Sequence, residues 1–183
     1  MKKQFLLLLI ISFGYFFSFA QTTVKYAADK SKSYVTYGMV HPMHEWEGTS
    51  KEMNSVLLYN PESKKIEKVA LAIPIATFDS QNANRDSHMI EVLEGIKFPN
   101  VTFSSTSITG EEGKLSVTGN LVFHGVSKLI TFDAASKTTS DGFEISGAFS
   151  VLMTDYNIEV PSMMGMPAKN EITLKFFSLY KLK

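Results

Sequence analysis

Hydrophobic and polar positions alternate with a period of two over most of this chain. In KLSVTGNLVF (114–123), every second residue from Leu115 to Phe123 is apolar or glycine. The segments GFEISGAFSVLM (142–153) and EITLKFFSLYKL (171–182) show the same alternation. Because successive side chains of a β-strand point to opposite faces, this pattern predicts strands with one buried face.

Turn-forming residues separate the predicted strands. NPESKK (60–65), EEG (111–113) and SDG (140–142) are typical hairpin loops, and KSYVTYGMV (32–40) and EMNSVLLYN (52–60) predict two earlier strands. About eight strands at this spacing, with little helix, indicate an antiparallel sandwich or barrel.

Glycines within the strands favour the barrel. They recur at Gly38, Gly119 and Gly147, as expected where strongly coiled strands turn a corner. In VALAIPIATF (69–78), large residues alternate with alanine and proline. The small face leaves room for either a packed neighbour or a ligand, and Pro74 indicates an edge or bulge.

One segment, NRDSHMIEVLEGI (84–96), has the pattern of a helix. Asn84 is a suitable N-cap, Asp86 an acid in the first turn, and Gly95 a C-terminal stop. The apolar stripe comprises Met89, Ile90, Val92, Leu93 and Ile96. A single short helix between barrel strands is expected to lie across an open end of the barrel.

The first twenty residues predict a signal peptide. A basic MKK is followed by the apolar QFLLLLIISFGYFFSF, with Ser18 and Ala20 as the small residues of a cleavage site. We expect cleavage after Ala20 and export to the periplasm or beyond. The alternative is an uncleaved anchor, since the run is near the lower limit for spanning a bilayer. Residues 21–183 then form one domain without a transmembrane segment.

Composition narrows the functional classes. The chain has 18 basic and 18 acidic residues, and removing Lys2 and Lys3 with the signal peptide leaves a slight acidic excess. This argues against nucleic acid as a partner. With no cysteine, a disulfide framework, a thiolate metal site and a cysteine nucleophile are all excluded.

Three motifs occur in a fixed order along the chain: TFDSQNANRDSHM (77–89), IKFPNVTFSSTSI (96–108) and LSVTGNLVFHGVSKLITFDA (115–134). Together they resemble the YceI-like family of exported bacterial proteins, and the resemblance covers most of residues 22–182. HPMHEWEGTSKEM (41–53) and the methionine-rich VPSMMGMPAKNE (160–171) depart from the family pattern.

The resemblance implies an all-β fold: an eight-stranded antiparallel, lipocalin-like barrel with a short helix near one end. It also implies an elongated apolar cavity that holds a polyisoprenoid or similar long-chain lipid without catalysis. The residues that match the family motifs are Arg85, Asp86, His88, Phe98, Pro99, Phe103, Gly119, His124 and Gly125.

A lipid carrier requires an apolar interior, which the inward faces would supply. Burying a long chain is favourable by about 0.8 kcal/mol per CH₂, so few polar contacts are needed. The ligand is expected to be a polyisoprenoid, a quinone or a fatty-acyl lipid, with no cofactor required. The alternative is a barrel filled by its own side chains. The candidate cavity and mouth residues are Arg85, His88, Met89, Phe98, Phe103, Leu121, Phe123, Phe149 and Met164.

Two interpretations of the Arg-Asp-x-His cluster remain open. Arg85 and His88 lie within one helical turn and could contact a polar head group, including a diphosphate, which favours arginine. Alternatively, Asp86 caps the helix and Arg85 pairs with a carboxylate of a neighbouring strand. No serine or threonine lies in a recognisable nucleophile motif, so we expect a binding protein rather than an enzyme.

A second function is suggested by HPMHEW (41–46). His41 and His44, with Met163 and Met166 elsewhere, offer imidazole and thioether ligands of the kind that suit copper in an exported protein. Methionine also lines adaptable apolar pockets. We expect His124 to be a hydrogen-bonded structural histidine. A homodimer is compatible with the sequence.

Overall fold

The computed structural model describes residues 23–182. The predicted signal peptide and its cleavage site after Ala20 lie outside the described residues. Within residues 23–182, no helix is long and apolar enough to cross a membrane.

Strands dominate the described chain. In chain order they are β1 Val24–Ala28, β2 Tyr34–His41, β3 His44–Ser50, β4 Asn54–Asn60, β5 Lys65–Pro74, β6 Asn100–Glu111, β7 Lys114–Phe123, β8 Val126–Thr139, β9 Gly142–Leu152, β10 Ser162–Met163, β11 Met166–Pro167 and β12 Glu171–Leu182. Helix α1 spans Ala83–Val92, and short 3₁₀ turns span Ile75–Thr77 and Met153–Tyr156.

Eight strands close into an antiparallel barrel, as the sequence predicted. The ring runs β1-β4-β5-β6-β7-β8-β9-β12, and β1 pairs again with β12 to close it. At this closure Tyr26 lies opposite Leu182, and Ala28 lies opposite Tyr180. A closed barrel leaves no unpaired edge within the ring.

The β2–β3 hairpin extends the wall of the barrel at one end. Strand β2 pairs with the first half of β12, from Thr173 opposite Gly38 to Phe177 opposite Tyr34. The far side of β3 is joined by a single bridge, between Thr49 and Asp79, to the segment that leads into α1.

Because neighbouring strands run antiparallel, the connections between them lie at two opposite ends of the barrel. The tight turns between β4 and β5, β6 and β7, and β8 and β9 lie at one end, which we call the turn end. Helix α1, the β2–β3 and β7–β8 turns and the β9–β12 connection lie at the other, which we call the helix end. Every cluster singled out in the sequence therefore lies at the helix end.

The period-two pattern correctly predicted which faces are buried. Leu115, Val117, Leu121 and Phe123 of β7 are all buried. In β5 and the 3₁₀ turn that follows it, the large residues from Val69 to Ile75 line the interior, so the alternating alanines do not make room for a ligand there.

Two of the three mid-strand glycines, Gly119 and Gly147, make room for aromatic rings inside the barrel. A Cβ on Gly119 would lie 2.5 Å from the Phe103 ring, and one on Gly147 would lie 2.8 Å from the Phe176 ring. Both rings thus lie against bare backbone on a neighbouring strand.

The helix begins earlier than predicted. Its N-cap is Asn82, whose side-chain oxygen accepts from the Arg85 amide at 3.1 Å; the predicted cap Asn84 lies inside the helix. The extended backbone of Asn82 allows this bond. The apolar stripe was also predicted to run too far. Ile96, beyond the last helical residue Val92, is 98% exposed.

Candidate functional site

The barrel encloses an apolar cavity of about 210 Å³. Inward side chains of β2, β5 to β9 and β12 form its wall, and α1 lies against one end. Four phenylalanines dominate the middle of the wall. They are Phe103, Phe132, Phe149 and Phe176, and the Phe132 and Phe149 rings stack at 4.6 Å. The cavity suits a narrow hydrocarbon.

The turn end is filled by aromatic side chains. The Phe143 ring lies 5.0 Å from Tyr26 and 4.7 Å from Tyr59, between ring centroids. Nearby, Tyr180 lines the cavity, and its hydroxyl is satisfied by Ser55 Oγ at 2.7 Å. Burial raises the pKa of Tyr180, opposed by hydrogen bonding to Ser55 and Ser178. This end therefore offers a ligand no free polar group from Tyr180.

The helix end carries the charged lining residues. The Arg85 guanidinium lies over the Trp46 ring, 5.3 Å from its centroid, and its Nη1 donates to the Ser80 carbonyl at 3.4 Å. Within residues 23–182, no carboxylate lies in ion-pair range of Arg85, so the predicted pairing with a strand carboxylate is wrong. Asp86 does stabilise the first turn of α1, because its carboxylate accepts a hydrogen bond from the Ser80 backbone amide at 3.1 Å.

His88 lies at the edge of this end of the cavity. Its side chain is 63% exposed, and its Nδ1 lies 3.6 Å from Glu91 of the same helix. Met89, one residue on, is partly buried and lines the cavity. Both therefore border the helix end of the cavity.

Most predicted cavity residues lie in the lining. Those that do are Arg85, His88, Met89, Phe103, Leu121, Phe123 and Phe149. Two are placed elsewhere. Phe98 packs outside the cavity against Gly125 and His124, because the chain turns back after α1 over the β7–β8 turn. Met164 is 82% exposed at the turn of the β10–β11 hairpin. Ligand contact by any of these residues stays a prediction.

His124 is a hydrogen-bonded structural histidine, as predicted. Its Nδ1 lies 3.0 Å from the Tyr156 carbonyl oxygen, and its Nε2 lies 3.0 Å from Glu94 Oε2. The backbone φ angles of His124 (+49°) and Gly125 (+73°) are both positive, as in the two-residue turns that connect β-hairpins.

The predicted copper ligands are only partly brought together. His41 is buried; its Nε2 lies 2.9 Å from the Met166 carbonyl oxygen, and its Nδ1 accepts from the Met43 amide at 3.2 Å. The His44 ring centroid lies 5.6 Å from that of His41. Among the described residues, no three His, Asp or Glu side chains are grouped to hold a metal. Because both His41 nitrogens are engaged, binding a metal there would break a hydrogen bond.

Three residues at the helix end were missed by sequence reasoning as site residues. Tyr37 and Trp46 line the cavity, and Ser80 is buried beside them. The alternation Val35, Tyr37 could have placed Tyr37 inward. No local pattern marks Ser80, whose burial follows from the position of α1.

The ionisation of Tyr37 reflects its surroundings. Burial raises its pKa; the nearby Asp86 carboxylate raises it further, whereas Trp46, Arg85 and Ser80 oppose the shift. The Trp46 and Ser80 side chains are close enough to influence the phenol, but neither completes a hydrogen bond with its oxygen. The Tyr37 hydroxyl is therefore a protonated donor at neutral pH.

Comparison with known proteins gives consistent matches. The family profile described as the YceI-like domain matches residues 26–177. Protein YceI of Salmonella newport (strain SL254) is 31% identical over 163 residues, covering 82% of this chain and 83% of that protein. Protein YceI of Salmonella arizonae matches to the same extent.

Solved structures share the fold. Burkholderia cenocepacia BcnA matches with a TM-score of 0.73 at 19% identity, covering 82% of this chain and 98% of that one. A polyisoprenoid binding domain from Saccharophagus degradans, implicated in plant cell wall breakdown, matches with a TM-score of 0.68 at 13% identity, covering 86% and 98%. The Campylobacter jejuni YCEI protein matches with a TM-score of 0.62 at 24% identity, covering 74% and 84%. At these identities the likeness concerns the fold.

Proposed function

The chain belongs to the YceI-like domain family, and from this premise we propose that it is an exported carrier that holds one long-chain lipid in its barrel. The observation that carries the proposal is the apolar cavity through the barrel, with its polar lining residues Arg85 and His88 at the helix end. The role requires binding and release, with no chemical step.

Cavity size favours a slender occupant. At about 210 Å³, it exceeds the engineered cavities of about 150 Å³ that accept a benzene-sized guest. It is smaller than the pockets of about 300–1,000 Å³ that hold drug-sized ligands. A volume between these limits favours part of a single isoprenoid, acyl or quinone chain over a bulky ring system.

The ligand class rests on burial and on one structural neighbour. Each CH₂ removed from water contributes about 0.8 kcal/mol, so chain length supplies most of the affinity. The Saccharophagus degradans neighbour is described as a polyisoprenoid binding domain, which favours an isoprenoid for this chain. The polar end of the ligand would lie at the helix end, beside Arg85, His88 and Met89.

The test uses a substitution that fills the cavity and leaves the outer surface of the barrel unchanged. Ala134 is buried and lines the cavity, whereas the next residue, Ala135, is exposed on the outer face of β8. Ala134→Phe should therefore block a chain, and Ala135→Phe is its matched control. Trp46, the single tryptophan, lines the cavity and reports occupancy by its fluorescence.

Farnesol is the probe for this titration. Wild type and Ala135→Phe should show the same saturable change in Trp46 emission, and Ala134→Phe should bind at least about tenfold more weakly. Circular dichroism melting establishes that both variants are folded. Equal farnesol affinity in a folded Ala134→Phe variant would overturn the proposal. Should this variant fail to fold, Val117→Phe, with Thr118→Phe as its control, repeats the test on β7.

A further inference from the structure

Exposed apolar side chains are concentrated in the connections at the helix end of the barrel. They are Met43, Ile96, Met163, Met164 and Met166, which are between 37% and 98% exposed, and we call them the apolar rim. Within residues 23–182, the tight turns of the turn end carry no exposed large hydrophobic side chain. Such one-sided exposure is typical of a surface that contacts a partner or a membrane.

Hydrogen bonds join the connections that carry the apolar rim to their neighbours. The His41 Nε2 atom lies 2.9 Å from the Met166 carbonyl oxygen, which joins the β2–β3 hairpin to the β10–β11 hairpin. The segment that carries Ile96 is joined to the β7–β8 turn by the 3.0 Å contact between His124 Nε2 and Glu94 Oε2. The rim side chains are therefore presented by turns that are fixed to one another.

The apolar rim lies beside the helix end of the cavity. Trp46, three residues after Met43, lines the cavity, and so does Leu93, three residues before Ile96. Pro161, which precedes the β10–β11 hairpin, lines it as well. A surface that contacts the rim therefore also lies next to the interior of the barrel.

Positive charges near the rim are accompanied by negative ones. Lys97, next to Ile96, pairs with Glu94 at 3.4 Å, and Lys128 pairs with Asp155 at 3.2 Å. Attraction to anionic lipids requires clustered lysine or arginine that is free to meet the head groups. The charges at this end therefore match a bilayer with zwitterionic head groups better than an anionic one.

We propose that the apolar rim docks the helix end of the barrel on the surface of a phospholipid bilayer with zwitterionic head groups. A protein partner would need a continuous, complementary surface, whereas the rim projects from separate turns. Four of its five side chains are methionines, which are flexible and adapt to an irregular apolar environment. Docking extends the carrier function proposed above, because it brings the cavity to the membrane with which a lipid would be exchanged.

The test is co-sedimentation with phosphatidylcholine vesicles. Wild type should bind them, and the double variant Ile96→Ser/Met164→Ser should bind at least about tenfold more weakly, because two apolar side chains no longer leave water. Leu129→Ser is the matched control: Leu129 is 65% exposed, but it lies on the outer wall of β8 and not in a connection. It should bind vesicles as wild type does. Because all three side chains are exposed, the melting temperatures should agree.

Docking and the carrier function can fail separately. A folded Ala134→Phe variant, with its cavity filled, should still bind vesicles, and Ile96→Ser/Met164→Ser should still bind farnesol in solution. Loss of vesicle binding in Ala134→Phe would overturn docking by the rim, since uptake of a vesicle lipid would then account for the binding. Loss of farnesol binding by wild type contradicts the carrier function and leaves the vesicle result unaffected.

Three further outcomes would overturn the proposal. The first is that wild type does not sediment with phosphatidylcholine vesicles. The second is binding that requires phosphatidylglycerol and disappears in high salt, which would indicate electrostatic attraction instead. The third is a wild-type dimer in analytical ultracentrifugation that dissociates in Ile96→Ser/Met164→Ser, which would assign the rim to contact with a second copy of the chain.

Discussion

His124 connects the β7–β8 turn to the segment that follows α1, through the 3.0 Å contact between its Nε2 and Glu94 Oε2. Its other ring nitrogen lies 3.0 Å from the Tyr156 carbonyl oxygen. One side chain therefore links three connections at the helix end, where the cavity meets α1.

Removing this link should loosen the helix end. We expect His124→Ala to lower the free energy of unfolding by about 1–3 kcal/mol and to release bound farnesol severalfold faster, since the C-terminal end of α1 loses its anchor. Urea unfolding and stopped-flow dilution measure the two effects. Glu94→Gln keeps an acceptor and should give a smaller change. Unaltered release in His124→Ala would show that α1 is not held by this contact.

The Asp29 carboxylate, which pairs with Lys181 at the β1–β12 closure, should make the stability of the barrel sensitive to acid. Hydrogen bonds from Lys181 at 2.7 Å and from Ser31 lower the pKa of Asp29 to about 2. A carboxyl whose pKa is depressed in the folded state stabilises the fold above its unfolded pKa, and this stabilisation is lost as the pH falls from about 4 to about 2.

Asp29→Asn should therefore lower the Tm at neutral pH, and the difference from wild type should vanish near pH 2. Thermal melts across this range measure it. Glu52→Gln serves as control, because Glu52 and Lys30 are both more than half exposed and such pairs contribute little. An Asp29→Asn difference that persists unchanged in acid would contradict the assignment.

A methyl group added at Gly147 should disrupt the packing of the Phe176 ring over this residue. Gly147→Ala places a Cβ 2.8 Å from the Phe176 ring and 3.0 Å from the Asp133 carbonyl oxygen. We expect a loss of about 1–3 kcal/mol in urea unfolding. Phe176→Leu in the same chain should recover part of this loss, because the ring is the nearest atom group. Additive losses in the double variant would indicate that the backbone contact dominates.

His41 should act as a structural anchor rather than as a metal ligand. Both of its ring nitrogens are engaged, with Met166 and Met43, whereas His44 is exposed. His41→Ala should lower stability by about 1–3 kcal/mol, and His44→Ala should change it little. Copper titration gives the discriminating result: a copper affinity that the double variant His41→Ala/His44→Ala abolishes would support the metal-binding alternative.

Most of the barrel could be predicted from the sequence, because strand alternation and turn residues are local features of the chain. Strand alternation and turn residues fixed the inward positions of Leu121, Phe123 and Phe149. The burial of Phe103 over Gly119 also followed from alternation, although the ring contact did not. The sequence did not identify Asn82 as the N-cap because Asn84, two positions further on, is an equally suitable residue type. The backbone geometry decides between them.

Features that depend on contacts between distant segments could not be predicted. Phe98 lies outside the cavity because the chain folds back over Gly125. Ser80 lies near Tyr37 only because a bridge between Thr49 and Asp79 joins β3 to the segment before α1. Periodicity specifies the face on which a side chain lies, but it does not specify which connection will cover it.

The most direct measurement is native mass spectrometry of the protein purified from the periplasmic extract of a bacterial host, followed by organic extraction. The carrier account predicts one long-chain adduct per protein, lost in a folded Ala134→Phe variant and kept in Ala135→Phe. An apo mass for wild type, together with no farnesol-dependent change in Trp46 emission, would contradict it.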